Sequence, residues 1–293
     1  MAIVAEGNKG RTYISPTAEH ITTAWQAVPD WKPEASLPQN QRNFNTPNFG
    51  INTYDQIFTS RQLVALTTCS DLIQEVQQHV LADATGANFP ADSRPLHTGG
   101  CGALAYADAV ATYLAIAFDK GADYWSALCS WHTGWNIISH MFTRQALPMV
   151  YFAEANPLSE SSGNVTGTAK WVAEVITAVP CDMPGHANQR DAAASVNGVV
   201  QPLVSNDPPY YDNIGYADLA DFFYIWLRRS LARIYPELFR TILVPKKQEL
   251  VATPYHFEGD KNKAQEVFEE DLGHAFAHMR EAQYLEYPLT VYS

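Results

Sequence analysis

Asp207-Pro208-Pro209-Tyr210 is a run whose order suits it to holding a flat, amine-bearing ring. Asp207 can accept a hydrogen bond from an exocyclic amine. Pro208 and Pro209 have a fixed φ and no N–H, so their carbonyls can be aimed at the same amine with little backbone slack. Tyr210 offers a ring on which a base can stack, worth about 1–3 kcal/mol. The apolar run Val199-Val200-Gln201-Pro202-Leu203-Val204 comes immediately before. It predicts a strand over 199–205 that delivers the four residues in a stiff, acidic loop. The bland alternative is a Pro-rich turn with one aromatic. The order of the residues, directly after a strand-like run, favours the functional reading.

The elements that must position this loop follow from periodicity. From residue 181 onward, short strands and helices alternate. A segment over 186–190 is expected to end at Asp191, an acidic residue at a strand end one strand before the motif. Tyr216 to Tyr235 reads as an amphipathic helix with Leu219, Phe222, Phe223, Trp226, Leu227, Leu231 and Ile234 on one broad face. A long helix is expected over 262–283 and a final strand over 287–293.

Upstream, the pattern predicts a strand over 10–15, a helix over 17–27 and a Pro- and Asn-rich connection over 28–53 that is functional or wraps a neighbour. Thr59, with Gln62 at the third position, opens a helix that continues through Leu81. Gly99-Gly100-Cys101-Gly102 lacks the Lys-Ser/Thr of a phosphate loop and reads as a helix entry. Helices over 103–119 and 122–144 would form an all-helical hairpin, with Trp125, Trp131, Trp135, Ile138 and Phe142 as core. A further helix is expected over 170–179. The chain thus divides into an extended segment 1–58, a helical region 59–180 and a core 181–293.

Composition narrows the function. A net charge of −12 argues against general nucleic-acid coating, because phosphate binding relies on Lys and Arg. Arg228, Arg229, Arg233, Arg240, Lys246 and Lys247 nevertheless cluster just after the motif. They form either a phosphate-contacting face or a solvated helix face. No apolar run reaches the roughly 20 residues of a membrane span. The N-terminus carries no signal-peptide pattern. The four widely spaced cysteines fit reduced thiols and a cytoplasmic protein. Cys129 and His132 lack a second pair, and no Glu follows His274 in the His274/His278 pair, so no metal site is expected.

The stretch from Asp207 through Tyr211-Asp212-Asn213-Ile214-Gly215-Tyr216 to Arg229 resembles the adenine-specific DNA methylases that carry a DUF1156 domain and a zinc ribbon. Phe58–Leu63, Tyr106–Val110, Arg144–Met149, Ala153–Pro157 and Leu250–Tyr255 also match, so the resemblance covers nearly the whole chain. It implies an α/β fold, helix-rich overall: a partial Rossmann-like class I methyltransferase core with a large helical insertion. It further implies S-adenosyl-L-methionine as methyl donor and a flipped-out DNA adenine as acceptor. Asp207, Pro208, Pro209 and Tyr210 would be catalytic. Asp191 and Asn206 would lie on the donor side, with Tyr211, Tyr216, Arg228 and Arg229 on the substrate side.

The family's glycine-rich donor motif is missing from this sequence, as are the DUF1156 segment and the ribbon cysteines. The chain is therefore expected to be the C-terminal part of a larger or split methylase, with a second chain or a preceding portion supplying the glycines. A non-catalytic DNA-binding or assembly subunit, or a degenerate remnant, is the alternative. Methylation of another amine, on cytosine, RNA or a protein glutamine, is a third.

Overall fold

The computed structural model describes residues 2–8, 10–149, 153–159, 163–179, 185–194 and 201–292. The chain divides into two compact units. One comprises Met1–Leu37, Phe44–Pro180 and Phe222–Leu243; the other comprises Pro38–Asn43, Cys181–Asp221 and Val244–Ser293. These cuts differ from the three sequential segments expected. Six residues of the long N-terminal connection go with the motif, and most of the helix that follows the motif does not.

The first unit is mainly helical. A hairpin of β1 (Ile3–Gly7) and β2 (Gly10–Ile14) precedes α1 (Ala18–Trp25). Helix α2 (Ser60–Gly86) begins where Thr59 Oγ1 accepts from the Gln62 N–H and Gln62 Oε1 accepts from the Thr59 N–H. This reciprocal cap satisfies two amides that a helix start leaves open. Helix α3 (Ala103–Ala122) packs against α2 and against α4 (Val165–Ala178). Its buried face is mostly alanine, including Ala107, Ala111, Ala115 and Ala122, so neighbouring backbones approach closely. Gly100 and Gly102 are needed just before it. A Cβ on either would sit 1.9 or 2.0 Å from the carbonyl oxygen of Arg94 or Asp92. The glycine cluster therefore serves packing.

The core of this unit gathers on Trp226 and Phe222 of α5 (Tyr216–Leu231). Trp226 lies 5.5 Å from Phe58, 5.8 Å from Trp31 and 6.5 Å from Phe118, in each case edge to face. Phe222 stacks on Phe58 at 5.9 Å and meets Phe142 at 5.3 Å. Such pairs are worth about 0.5–1.5 kcal/mol each beyond the area they bury.

One expected helix is corrected. Instead of a helix over 122–144, the chain leaves α3 and forms an antiparallel hairpin of β3 (Ser130–His132) and β4 (Ile137–Ser139). Asn136 turns it with φ +52°. Gly134 and Asn136 interrupt the helical pattern, and the tryptophans do not share a face: Trp125 is buried while Trp135 is 74% exposed. Trp131 instead donates its indole N–H to the Tyr13 hydroxyl at 3.2 Å.

The second unit holds a single parallel pair among its described residues. β5 (Ser205–Asn206) runs beside β6 (Thr290–Val291). The connection between them contains α5, a 3-10 turn over Pro254–Phe257 and α6 (Lys261–Ala282). Asp260 caps α6 by accepting from the Asn262 and Lys263 N–H groups at 3.0 and 3.1 Å. The fold is helix-rich with small sheets, compatible with an α/β class. The strand expected at 186–190 does not form: residues 185–190 have no regular structure and 192–194 turn. The expected strand 199–205 falls partly on 199–200, outside the described residues. What is described of it is the pair Ser205–Asn206.

Candidate functional site

The motif leaves the end of β5. The Asn206 carbonyl accepts from the Tyr292 N–H at 2.8 Å, and the Val204 carbonyl accepts from the Thr290 N–H at 3.1 Å. Asp207 follows, exposed, and its Oδ1 accepts the Tyr210 hydroxyl at 3.0 Å. Pro208 and Pro209 hold the three-residue spacing that lets these side chains meet. The Asp207 carboxylate, accepting the phenol proton, raises Tyr210 above the ordinary tyrosine range. Tyr210 is 42% exposed and Tyr216 is 41% exposed, close enough for the two phenols to influence one another. Asp207, Tyr210 and Tyr216 thus form an accessible group of one carboxylate and two phenols.

The loop is held from behind by three other segments of the same unit. Tyr211 takes φ +53°, a conformation that costs a non-glycine residue roughly 1–2 kcal/mol. Its carbonyl accepts from the Ala252 N–H at 3.1 Å and its ring meets Phe268 of α6 edge-on at 5.2 Å. Arg42 donates to the Asp212 carbonyl and pairs with the Asp212 carboxylate at 3.1 Å. Asn40 and Asn43 are buried beside Gly215, where a Cβ would come within 3.3 Å of Asn40 Nδ2.

Behind the loop, the first two turns of α5 bury two carboxylates, Asp218 and Asp221. Asp221 accepts from Lys246 Nζ at 2.6 Å and from the Val244 N–H at 2.8 Å. Burial pushes the Asp221 carboxyl above the usual range even so, because desolvation outweighs the lysine. Glu249 Oε1 accepts from the Ala217 N–H at 2.7 Å, so a glutamate from a later segment caps α5. Burial raises its carboxyl too. His256 Nε2 stands 3.6 Å from Asp218 Oδ2, an ion-pair separation. That carboxylate holds the imidazole above its ordinary value against the opposing effect of burial.

No protein-family model, curated protein or solved structure matches this chain.

The sequence-expected residues fall into two groups. Asp207, Pro208, Pro209, Tyr210, Tyr211 and Tyr216 come together on one loop and the helix start it leads into. The others lie elsewhere. Asp191 sits in an exposed turn where its carboxylate accepts from the Ala193 N–H at 3.0 Å. Arg228 and Arg229 belong to the part of α5 in the first unit. Arg228 donates Nε–H to the Phe239 carbonyl at 3.2 Å. Arg229 binds both oxygens of Asp71 at 2.8 and 2.9 Å and lies over Trp31. Cys129 gives its thiol to the Asp123 carbonyl, and burial pushes that thiol up to about 11.

Residue-by-residue reading missed Arg42, Asn40 and Asn43, and the roles of Asp218, Asp221, Lys246, Glu249 and His256. The signals were weak but present. Asp218 and Asp221 share a helix face, and an Asn- and Gln-rich connection of that length needs something to bind.

Proposed function

We propose that the Asp207–Tyr210 loop receives the amine-bearing edge of an adenine, and that the chain forms the acceptor-side part of a DNA adenine-N6 methyltransferase. The observation that carries this reading is the Tyr210–Asp207 contact on an exposed loop at the end of a parallel strand. A carboxylate and an aromatic ring meet there through the Tyr210 hydroxyl. Asp207 Oδ2 and the Pro208 carbonyl would accept from N6–H₂, and Tyr210 would stack on the ring. The effect is to raise electron density on nitrogen and aim its lone pair, which is positioning and electrostatics without a covalent intermediate. The base would first leave the duplex at a cost of a few kcal/mol.

The described residues do not by themselves fit S-adenosyl-L-methionine. Asp191 is turned onto its own backbone and the Asn206 carbonyl is taken by the Tyr292 amide. We therefore assign the donor side to a further polypeptide, and the free edge of β5 is where a further strand fits. In a parallel ladder successive residues bond to opposite sides. Val204 and Asn206 bond to β6, so Ser205 points its N–H and C=O outward, with no partner among the described residues. A finely Rossmann-like core would be completed by strands added at that edge. The missing donor glycines equally favour a second reading, a DNA-binding or assembly subunit without catalysis.

The test is binding of a short single-stranded oligonucleotide containing one adenine, at low salt, by the full chain and its variants. Asp207→Ala and Tyr210→Ala should each weaken binding about tenfold or more with the fold intact by circular dichroism. Unchanged affinity in both would overturn the acceptor assignment. Calorimetric titration with S-adenosyl-L-methionine should show no binding by this chain alone. Micromolar binding would instead place the donor site within it.

A further inference from the structure

We infer that His256 is a positioning residue for the motif loop, gripping it through Asp218 when the imidazole is protonated and releasing that grip when it is neutral. Five ties join segment 244–256 to residues 211–221. They are Val244 N–H and Lys246 Nζ to Asp221, Glu249 to the Ala217 N–H, Ala252 N–H to the Tyr211 carbonyl, and His256 to Asp218. Only the Ala252–Tyr211 tie is backbone on both sides and cannot titrate. Burial raises the Asp221 and Glu249 carboxyls above the ordinary range near 4, and imidazole ordinarily titrates near 6.5. His256 is the one tie in which a cation that titrates near neutrality meets a buried carboxylate.

The surroundings give that charge a purpose. Asp218 is fully buried on α5. Glu249 Oε2 is buried and has no hydrogen-bond partner. Two carboxylates thus adjoin an imidazole whose side chain is only 14% exposed. Lys246, the other cation nearby, opposes protonation of His256 but is itself spent on Asp221. The Tyr255 ring lies 5.6 Å from the imidazole and adds no charge. Helix α6 packs on the same 3-10 turn. Without the imidazolium, the acidic pair faces a neutral ring, a costly arrangement in a buried site. The strain falls on the segment that also carries the Ala252 N–H, which holds Tyr211 in its left-handed conformation beside Tyr210.

The experiment is an NMR titration of the His256 ring in the full chain, combined with amide hydrogen exchange at Asn213, Ala217 and Ala252. Exchange is compared at pH 6 and pH 8 after correction for intrinsic rates. His256 should titrate above 6.5, and protection at the three amides should fall about tenfold between the two pH values. In His256→Gln that pH dependence should shrink severalfold, leaving what the Asp221 and Glu249 carboxyls contribute, and in Asp218→Asn the His256 titration should move back toward its ordinary value. Titration at or below 6.5 in the wild-type chain overturns the inference, as does an undiminished pH-dependent loss of protection in His256→Gln. Equal protection of the three amides at pH 6 and pH 8 in the wild-type chain also overturns it, so the test stands even where a variant fails to fold. The readout is loop conformation, so it stands apart from the outcome of the adenine-binding test.

Discussion

Asp119, on α3, is a carboxyl 8% exposed whose Oδ1 has no hydrogen-bond partner. Burial pushes it well above the usual carboxylate range, and the neighbouring Asp123 adds to the effect. The folded chain therefore holds a proton there that the unfolded chain releases near pH 4. The stability this contributes is present at low pH and is lost as pH rises through the folded value. Asp119→Asn keeps the shape and removes the ionisation. It should raise the melting temperature at pH 8 by about 2–4 °C, the shift that ~1 kcal/mol gives in a chain of this size, and leave it nearly unchanged at pH 4. Thermal scans at the two pH values check this. Nothing local marks Asp119 in the sequence, because its burial is set by what packs around it. Asp207 was legible because its meaning depends on three adjacent residues.

At the scale of elements, α5 depends on a cap that its own sequence does not supply. Glu249, thirty-odd residues downstream, accepts from the Ala217 N–H. Glu249→Ala should cost about 1–2 kcal/mol, read as a lower urea midpoint with an unchanged slope. Helices α2 and α6 carry their own caps, at Thr59 and Asp260, and both starts were readable within a residue or two. The β3–β4 hairpin was not. Its tryptophans fit helical spacing well enough to mislead, and the turn residues Gly134 and Asn136 carried the contrary signal. The segment before Asp191 failed for another reason: strand formation needs a partner, and among the described residues none pairs with it.

At the scale of the molecule, several titrating groups act with one sign. Asp119, Asp221, Glu249 and His256 all have raised values, so each favours the folded chain at low pH and loses that contribution as pH rises. Asp55 and Asp92 act oppositely. Burial pushes Asp55 up, but Thr53 and Lys32 together outweigh it, and Arg94 holds Asp92 well below the usual range. Their contributions are present above the ordinary value near 4 and are lost below it. Stability should therefore peak between about pH 4 and 6.5 and decline toward pH 8. A maximum at or above pH 8 in chemical denaturation series would contradict that sum. Among the described residues, no helix is long and apolar enough to cross a membrane.

The sequence by itself determined the helices with their own caps and periodic faces, and the loop whose four adjacent residues define its chemistry. These are local properties, set by neighbours within a turn or two. Only the tertiary structure decided that Pro38–Asn43 joins the motif's unit, that Arg228 and Arg229 are spent on Phe239, Asp71 and Trp31, and that Lys246, Glu249 and His256 converge behind the loop. Those outcomes depend on which buried charges find partners across long separations in the chain, and no short-range pattern encodes that pairing.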